Sequence, residues 1–207
     1  NIYGVDIERG AVDIARLRFW LSLIVDEKSP EALPNLDFKI MQGNSLLEQY
    51  KGADLATMTE KKVGAGQGVT IFDSMLDVYR KNLRDKLTEY YACPEHDKKV
   101  QLRKDIADIV KKELSEQGIN IDFGDIDMSA NNQFCLWHTW FHDVFSRPSK
   151  EGFDIVIGNP PYIRYEQIPQ DQLSGYKQLF HTFYYRADLY ILFFEKTLRN
   201  LRPGGRH

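Results

Sequence analysis

Two rhythms of hydrophobic and polar positions run along this chain. Ile2-Tyr3-Gly4-Val5-Asp6 is a short apolar run closed by an acid, which predicts a buried strand. A helical rhythm follows, with Ala11, Ile14, Ala15, Leu17, Phe19, Leu21 and Leu23–Val25 on an apolar stripe and Glu8 and Asp13 near its N-terminal end. Two prolines within Ser29–Asn35 break it. Phe38–Met41 predicts a second strand, closing on Gly43-Asn44-Ser45. Residues 51–72 are polar and hold Gly64, Gly66 and Gly68, so they read as a loop. Residues 73–92 and 97–117 predict a hairpin of two charged amphipathic helices joined near Cys93-Pro94. Residues 118–133 read as a loop with one short strand, and Phe134–Phe145 as an aromatic, half-buried segment.

The third strand is Phe153–Ile157, and a turn over Gly158–Tyr162 follows it. An aromatic-rich stretch over 163–187 leads to a last helix, Asp188–Leu201, which Pro203-Gly204-Gly205 stops. Strand, helix, strand, helical insertion, strand, helix is the order of an α/β domain with a parallel sheet. We take 1–207 as one domain, with 51–133 as a loop and helical insertion.

Composition changes this picture little. Hydrophobic residues at 43% supply a sizeable core. A net charge of −3 is not that of a stand-alone nucleic-acid binder. The longest apolar stretches, Phe19–Val25 and Tyr190–Phe194, are too short to span a membrane. Two cysteines are too few for a disulfide framework, so a cytoplasmic location is the default. Cys93-Pro94-Glu95-His96 and Cys135-Leu136-Trp137-His138 share a Cys-x-x-His spacing, but their separation and the aromatic context of the second argue against a zinc site. No metal is expected. The charged helices over 73–117 read as a solvated face or a contact to another domain.

The segment Gly158-Asn159-Pro160-Pro161-Tyr162 carries chemistry. An aromatic amine is a poor nucleophile because its lone pair is delocalised into the ring. Methylating it requires acceptors that take its N–H hydrogens and draw the nitrogen towards tetrahedral geometry without adding a full charge. The amide oxygen of Asn159 and the backbone carbonyl of Pro160 are such acceptors. The prolines stiffen the turn. Tyr162 offers a flat face for a base flipped out of a duplex, with Pro161 beside it. The position also suits, since ligand sites in open α/β sheets lie beyond the carboxyl ends of strands.

The whole string Gly152–Ile163 resembles motif IV of the N6-adenine DNA methyltransferases of the Asn-Pro-Pro-Tyr type, and more narrowly the methyltransferase core of the type IIG restriction–modification enzymes. Tyr3–Glu8 with Ala11 and Ala15 resembles motif II, Gly43–Leu46 motif III, and Asp188–Glu195 with Leu201–Gly205 motif V and its helix. Phe134–Phe145 is similar to the tryptophan-rich segment before motif IV. Residues 51–133 have no counterpart.

The resemblance implies a partial Rossmann-like fold and S-adenosylmethionine as cofactor. It implies that Asp6 accepts hydrogen bonds from the ribose hydroxyls, that Ile7 packs on the cofactor's adenine, and that Asn44 meets the polar edge of that ring. Asn159 would count among both the catalytic and the cofactor-contacting residues. The substrate would be double-stranded DNA with a flipped adenine, and a nuclease would lie elsewhere in the protein. The glycine-rich motif I has no counterpart here, so the chain is expected to be a fragment, inactive by itself, whose partners include the remaining domains. Two other functions are compatible with the same residues. One is methylation of guanine N2 in RNA or of glutamine in protein, and the other is a non-catalytic binding or assembly module. Arg164, Tyr165, Tyr176, Lys177, Phe180, Phe183, Tyr184, Tyr185 and Arg186 read either as a contact to an extruded strand or, preferred here for most of the aromatics, as core for the missing half of the domain.

Overall fold

The computed structural model describes residues 2–26, 33–51, 53–55, 71–184 and 186–207. Strand β1 (Gly4–Asp6) is followed by helix α1 (Arg9–Asp26) and strand β2 (Ile40–Gln42). β1 and β2 pair in parallel, with Val5 opposite Met41. α1 packs on this pair through Val12, which is buried. Arg16 fixes its height, donating from Nε to the Ile40 carbonyl at 2.9 Å and pairing with Asp37 at 3.0 Å. β2 starts later than the apolar run suggests because Phe38 has a left-handed backbone (φ 57°) that a strand cannot continue.

Strands β3 (Gln49–Tyr50) and β4 (Ala53–Asp54) make a small antiparallel hairpin that the polar composition there did not predict. Most of the loop expected over 51–72, including its three glycines, lies outside the described residues, as does Tyr185. The helical hairpin is present as α2 (Ile71–Ala92) and α3 (His96–Glu116). It is not merely a solvated pair. Leu102, Ile106, Val110 and Leu114 repeat at helical spacing on α3 and are all buried, facing Leu83 and Tyr90 of α2. Met41 of β2 and Phe134, Leu136 and Phe141 belong to the same core.

Glu113 sits on the buried side of α3. Burial raises its carboxyl from the ordinary 4.5 to about 7, against the pull of Arg80. The folded state therefore keeps a proton that the unfolded chain has already lost, and stability falls as pH rises from about 4.5 through 7. Glu113→Gln is expected to raise stability by about 2 kcal/mol at roughly pH 8 and to leave it unchanged near pH 4. Melting curves at the two pH values check this; an equal gain at both would contradict it.

The aromatic segment forms two short helices, α4 (Trp137–Trp140) and α5 (His142–Phe145). Strand β5 (Phe153–Ile155) follows, then a single 3-10 turn over Tyr165–Gln167. Helix α6 (Gln170–Leu179) was not legible in the aromatic stretch, because Ser174 and Gly175 interrupt its propensity. Its buried face holds Leu173 and Tyr176, which join Leu46, Leu47, Leu189 and Leu192 in a second core. Tyr176 and Phe180 are thus core residues of this chain. Helix α7 (Leu189–Asn200) runs straight into strand β6 (Leu201–Arg206).

The expectation that Pro203-Gly204-Gly205 only stops a helix is corrected here: it lies within β6, which pairs with β5 in parallel. Phe153 faces Leu201 while Ile155 faces Arg206, so the extra residues bulge out of the ladder. Gly204, with φ 75°, permits this. The protein is therefore α/β with two parallel strand pairs. The continuous parallel sheet that the element order suggested is not formed among the described residues, where β1 and β5 each have one strand neighbour.

Candidate active site

Two segments expected to act on the cofactor meet at the ends of β1 and β2. The amide of Gly43 donates to the Asp6 carbonyl at 2.9 Å, and the Gln42 side chain donates to the Ile7 carbonyl at 3.1 Å. Gly43 is required by close approach, since a Cβ there would lie 2.9 Å from the Cys135 Cβ and 3.2 Å from the Phe134 carbonyl oxygen. The Asp6 side chain is exposed, and its Oδ1 accepts the Glu8 amide at 2.8 Å. That bond fixes the carboxylate at the strand end and leaves Oδ2 without a hydrogen-bond donor among the described residues. Ile7 is 44% exposed, so an apolar face stands beside an anchored carboxylate. Asn44 differs. It is buried, and its Oδ1 accepts the Leu46 amide at 3.1 Å, which ties the oxygen to the turn and leaves the NH2 group as its donor to a ligand.

The Asn159 loop leaves β5 once the Val156 amide has bonded the Arg206 carbonyl at 3.0 Å. Gly158, Asn159, Pro161 and Tyr162 are exposed, and Pro160 is half-buried. An extra Cβ at Gly158 would meet nothing within 4 Å, so the turn stands clear of the body. Its far end is tethered: the Leu189 amide, at the start of α7, donates to the Ile163 carbonyl at 2.9 Å. The ring of Tyr162 is 82% exposed and lies 5.9 Å from that of Tyr190 on α7. Exposure of this amide and this ring is what a site for an incoming planar amine requires.

Both strands start from one aromatic cluster. Tyr3, just before β1, lies 5.1 Å from Phe141 and 5.8 Å from Phe153, the first residue of β5. Tyr3 also donates its hydroxyl to Asp143, and burial with that neighbour raises its pKa. Asp6 and Asn159 thus lie at the far ends of strands that share a starting point. No hydrogen bond or ring contact joins Asp6, Ile7 or Asn44 directly to Asn159–Tyr162 among the described residues. The connection runs through the second core, where Leu46 and Leu47 pack with Leu189, Leu192 and Ile163.

One element of the site had no signal in the sequence. Glu48 is buried, accepts the Trp137 amide at 3.0 Å and pairs with Lys196 of α7. Burial by itself would raise its carboxyl, but Lys196 and the neighbouring His138 hold it down at about 2. A Glu after two leucines, and a Lys at helical spacing with Leu189 and Leu192, do not name each other as partners in the sequence. A second acid, Asp154 of β5, is exposed and held down at about 2 by hydrogen bonds from Arg147 and Arg202. Cys93 and Cys135 are both buried, in different surroundings: the Cys93 thiol faces the Glu95 carbonyl, and burial pushes the Cys135 thiol up.

The family model described as Eco57I restriction-modification methylase matches residues 1–207. The chain belongs to that family. Among relatives of this chain, the type II methyltransferase M.XhoI of Xanthomonas vasicola is 49% identical over 73 residues, which is 34% of this chain and 13% of that protein. M.PaeR7I of Pseudomonas aeruginosa, another type II methyltransferase, is 42% identical over 80 residues, 38% of this chain and 14% of that protein. The putative type II restriction enzyme and methyltransferase RM.MjaORFECS2P of Methanocaldococcus jannaschii is 26% identical over 212 aligned residues, 78% of this chain and 18% of that protein. The chain thus spans less than a fifth of the length of these relatives. No solved structure matches it. Among the described residues, no helix is long and apolar enough to cross a membrane.

Proposed function

We propose that the protein containing this methylase chain transfers a methyl group from S-adenosylmethionine to N6 of an adenine flipped out of double-stranded DNA. The observation that carries this is the exposed, proline-stiffened turn that presents the Asn159 amide and the Tyr162 ring beyond the end of a parallel strand. The type II methyltransferase names of the relatives support DNA as substrate.

The residues at β1 fit the cofactor. The anchored, exposed carboxylate of Asp6 suits two vicinal ribose hydroxyls, and Ile7 offers an apolar face for an adenine ring. Asn44 would donate from its amide nitrogen to that ring's polar edge. When bound, the cofactor supplies an electrophilic methyl group on a sulfonium. In our reading the two halves of the site belong to one Rossmann-like sheet. The common aromatic start of β1 and β5 supports it.

The chain's own residues act on the adenine. Tyr162 stacks on the flipped base, with Pro161 against its edge. Asn159 Oδ1 and the Pro160 carbonyl accept the two N6 hydrogens, which localises the nitrogen lone pair. These acceptors would direct the lone pair in line at the methyl group that a bound cofactor would supply, the methyl–sulfur electron pair staying on a neutral thioether. One N6 proton would then pass to solvent. No covalent enzyme intermediate arises, so positioning supplies most of the rate.

Incubating the full-length protein with tritium-labelled cofactor and DNA, RNA or protein, followed by digestion and identification of the labelled product, tests this. N6-methyladenine from duplex DNA is expected. Label in guanine N2 of RNA or in protein glutamine would overturn the substrate, and no transfer to any of them would favour a binding module.

A further inference from the structure

The buried pair between Glu48 and Lys196 has no part in the chemistry above, yet it joins the two halves of the site. Glu48 follows the Asn44 turn, and its carboxylate holds the Trp137 amide at 3.0 Å. Trp137 in turn donates from Nε1 to the Ser45 carbonyl at 3.0 Å, closing a ring of contacts on the turn itself. The other carboxylate oxygen takes the Lys196 ammonium, which also lies 6.0 Å from the Trp137 ring centre. The two side chains are only 6% and 11% exposed. Lys196 stands six residues after Tyr190, about 9 Å further along the same helix. Tyr190 is the ring beside Tyr162.

We propose that Lys196 is a positioning residue that, by pairing with Glu48, fixes the rotation and height of α7 and so the place where Tyr190 braces Tyr162. The role rests on the methyl-transfer function proposed above. Removing two charges from water is unfavourable, and an apolar pair of equal volume would hold the helix as firmly. What apolar packing does not supply is a single register. The packing of Leu189 and Leu192 with Leu46 and Leu47 is non-directional, whereas a short ion pair is lost on a small shift. A neighbouring face of α7, about 100° round the helix, is held by hydrogen bonds: Glu195 accepts the His181 amide at 3.1 Å and the Thr182 amide at 2.8 Å.

The test uses the full-length protein and reads kcat, KM for cofactor and for DNA, melting temperature, and emission of 2-aminopurine at the target position, which reports stacking of the flipped base. Lys196→Met is expected to lower kcat about tenfold and to change the 2-aminopurine signal, with cofactor KM little altered. Tyr190→Ala should reproduce the kinetic defect with a smaller change in melting. The double variant should be no slower than the worse single one, since both act through Tyr162. Normal kcat in Lys196→Met below its melting temperature, or additive losses in the double variant, would overturn the positioning role. If Lys196→Met does not fold, Glu48→Gln is read against the same criteria. A wild-type protein that methylates no DNA sinks the function itself, whereas active wild type with unaffected variants sinks only this role.

Discussion

Asn159→Ala in the full-length protein is expected to lower kcat for methyl transfer by about 10²–10³-fold. In the mechanism we propose, the amide oxygen acts where charge develops: as N6 gains tetrahedral character its hydrogens become more acidic, and the acceptor bonds strengthen from ground state to transition state. An interaction that strengthens along the reaction appears in kcat rather than in KM. Because the side chain is exposed and the loop is held by its flanks, at Val156 and at Ile163, the fold should change by no more than about 0.5 kcal/mol. Asn159→Asp keeps an oxygen acceptor but adds a charge that the transition state does not need, so an intermediate rate is expected. Single-turnover kinetics check both. An alanine variant with kcat within about threefold of wild type would remove Asn159 from the chemistry.

Gly152→Ala is expected to destabilise the protein by about 3–5 kcal/mol, through two effects that act together. Gly152 has φ 108°, a conformation that side chains rarely adopt. A Cβ there would also lie 2.7 Å from the Arg202 amide nitrogen and 2.8 Å from the Asn200 carbonyl oxygen. Both neighbours are backbone, and neither can move without parting β6 from β5. The strain would sit directly before the strand that carries the Asn159 loop, so activity should fall with the fold. Thermal and denaturant unfolding of the variant measure it, and a loss below about 1 kcal/mol would show that the β5–β6 junction can relax.

The positions of β1, β2 and β5, the helix after β1, the helical hairpin and the Asn159 turn were legible in the sequence. Each depends on side-chain rhythm or on residues adjacent in the chain. The family was legible for the same reason, because a turn with one amide, two prolines and one ring is encoded in consecutive residues. The bulged β6 was hidden: proline and two glycines read as a stop, and only pairing with β5 makes them a strand. Helix α6 was hidden too, since its apolar face becomes evident only once Leu46 and Leu47 cover it.

What the sequence by itself determined, then, is the chemistry available: an acid at the end of one strand and a rigid acceptor turn at the end of another. The tertiary structure alone decided how these are held. Glu48 meets Lys196 across 148 residues of chain, and Gly43 and Gly152 are needed because a Cβ at either would lie within 3 Å of an atom from a distant segment. The reason is one of range. Periodicity and turn residues act over a few neighbours, whereas the partner of a buried charge or the space left for a Cβ is set by segments that meet only when the chain packs.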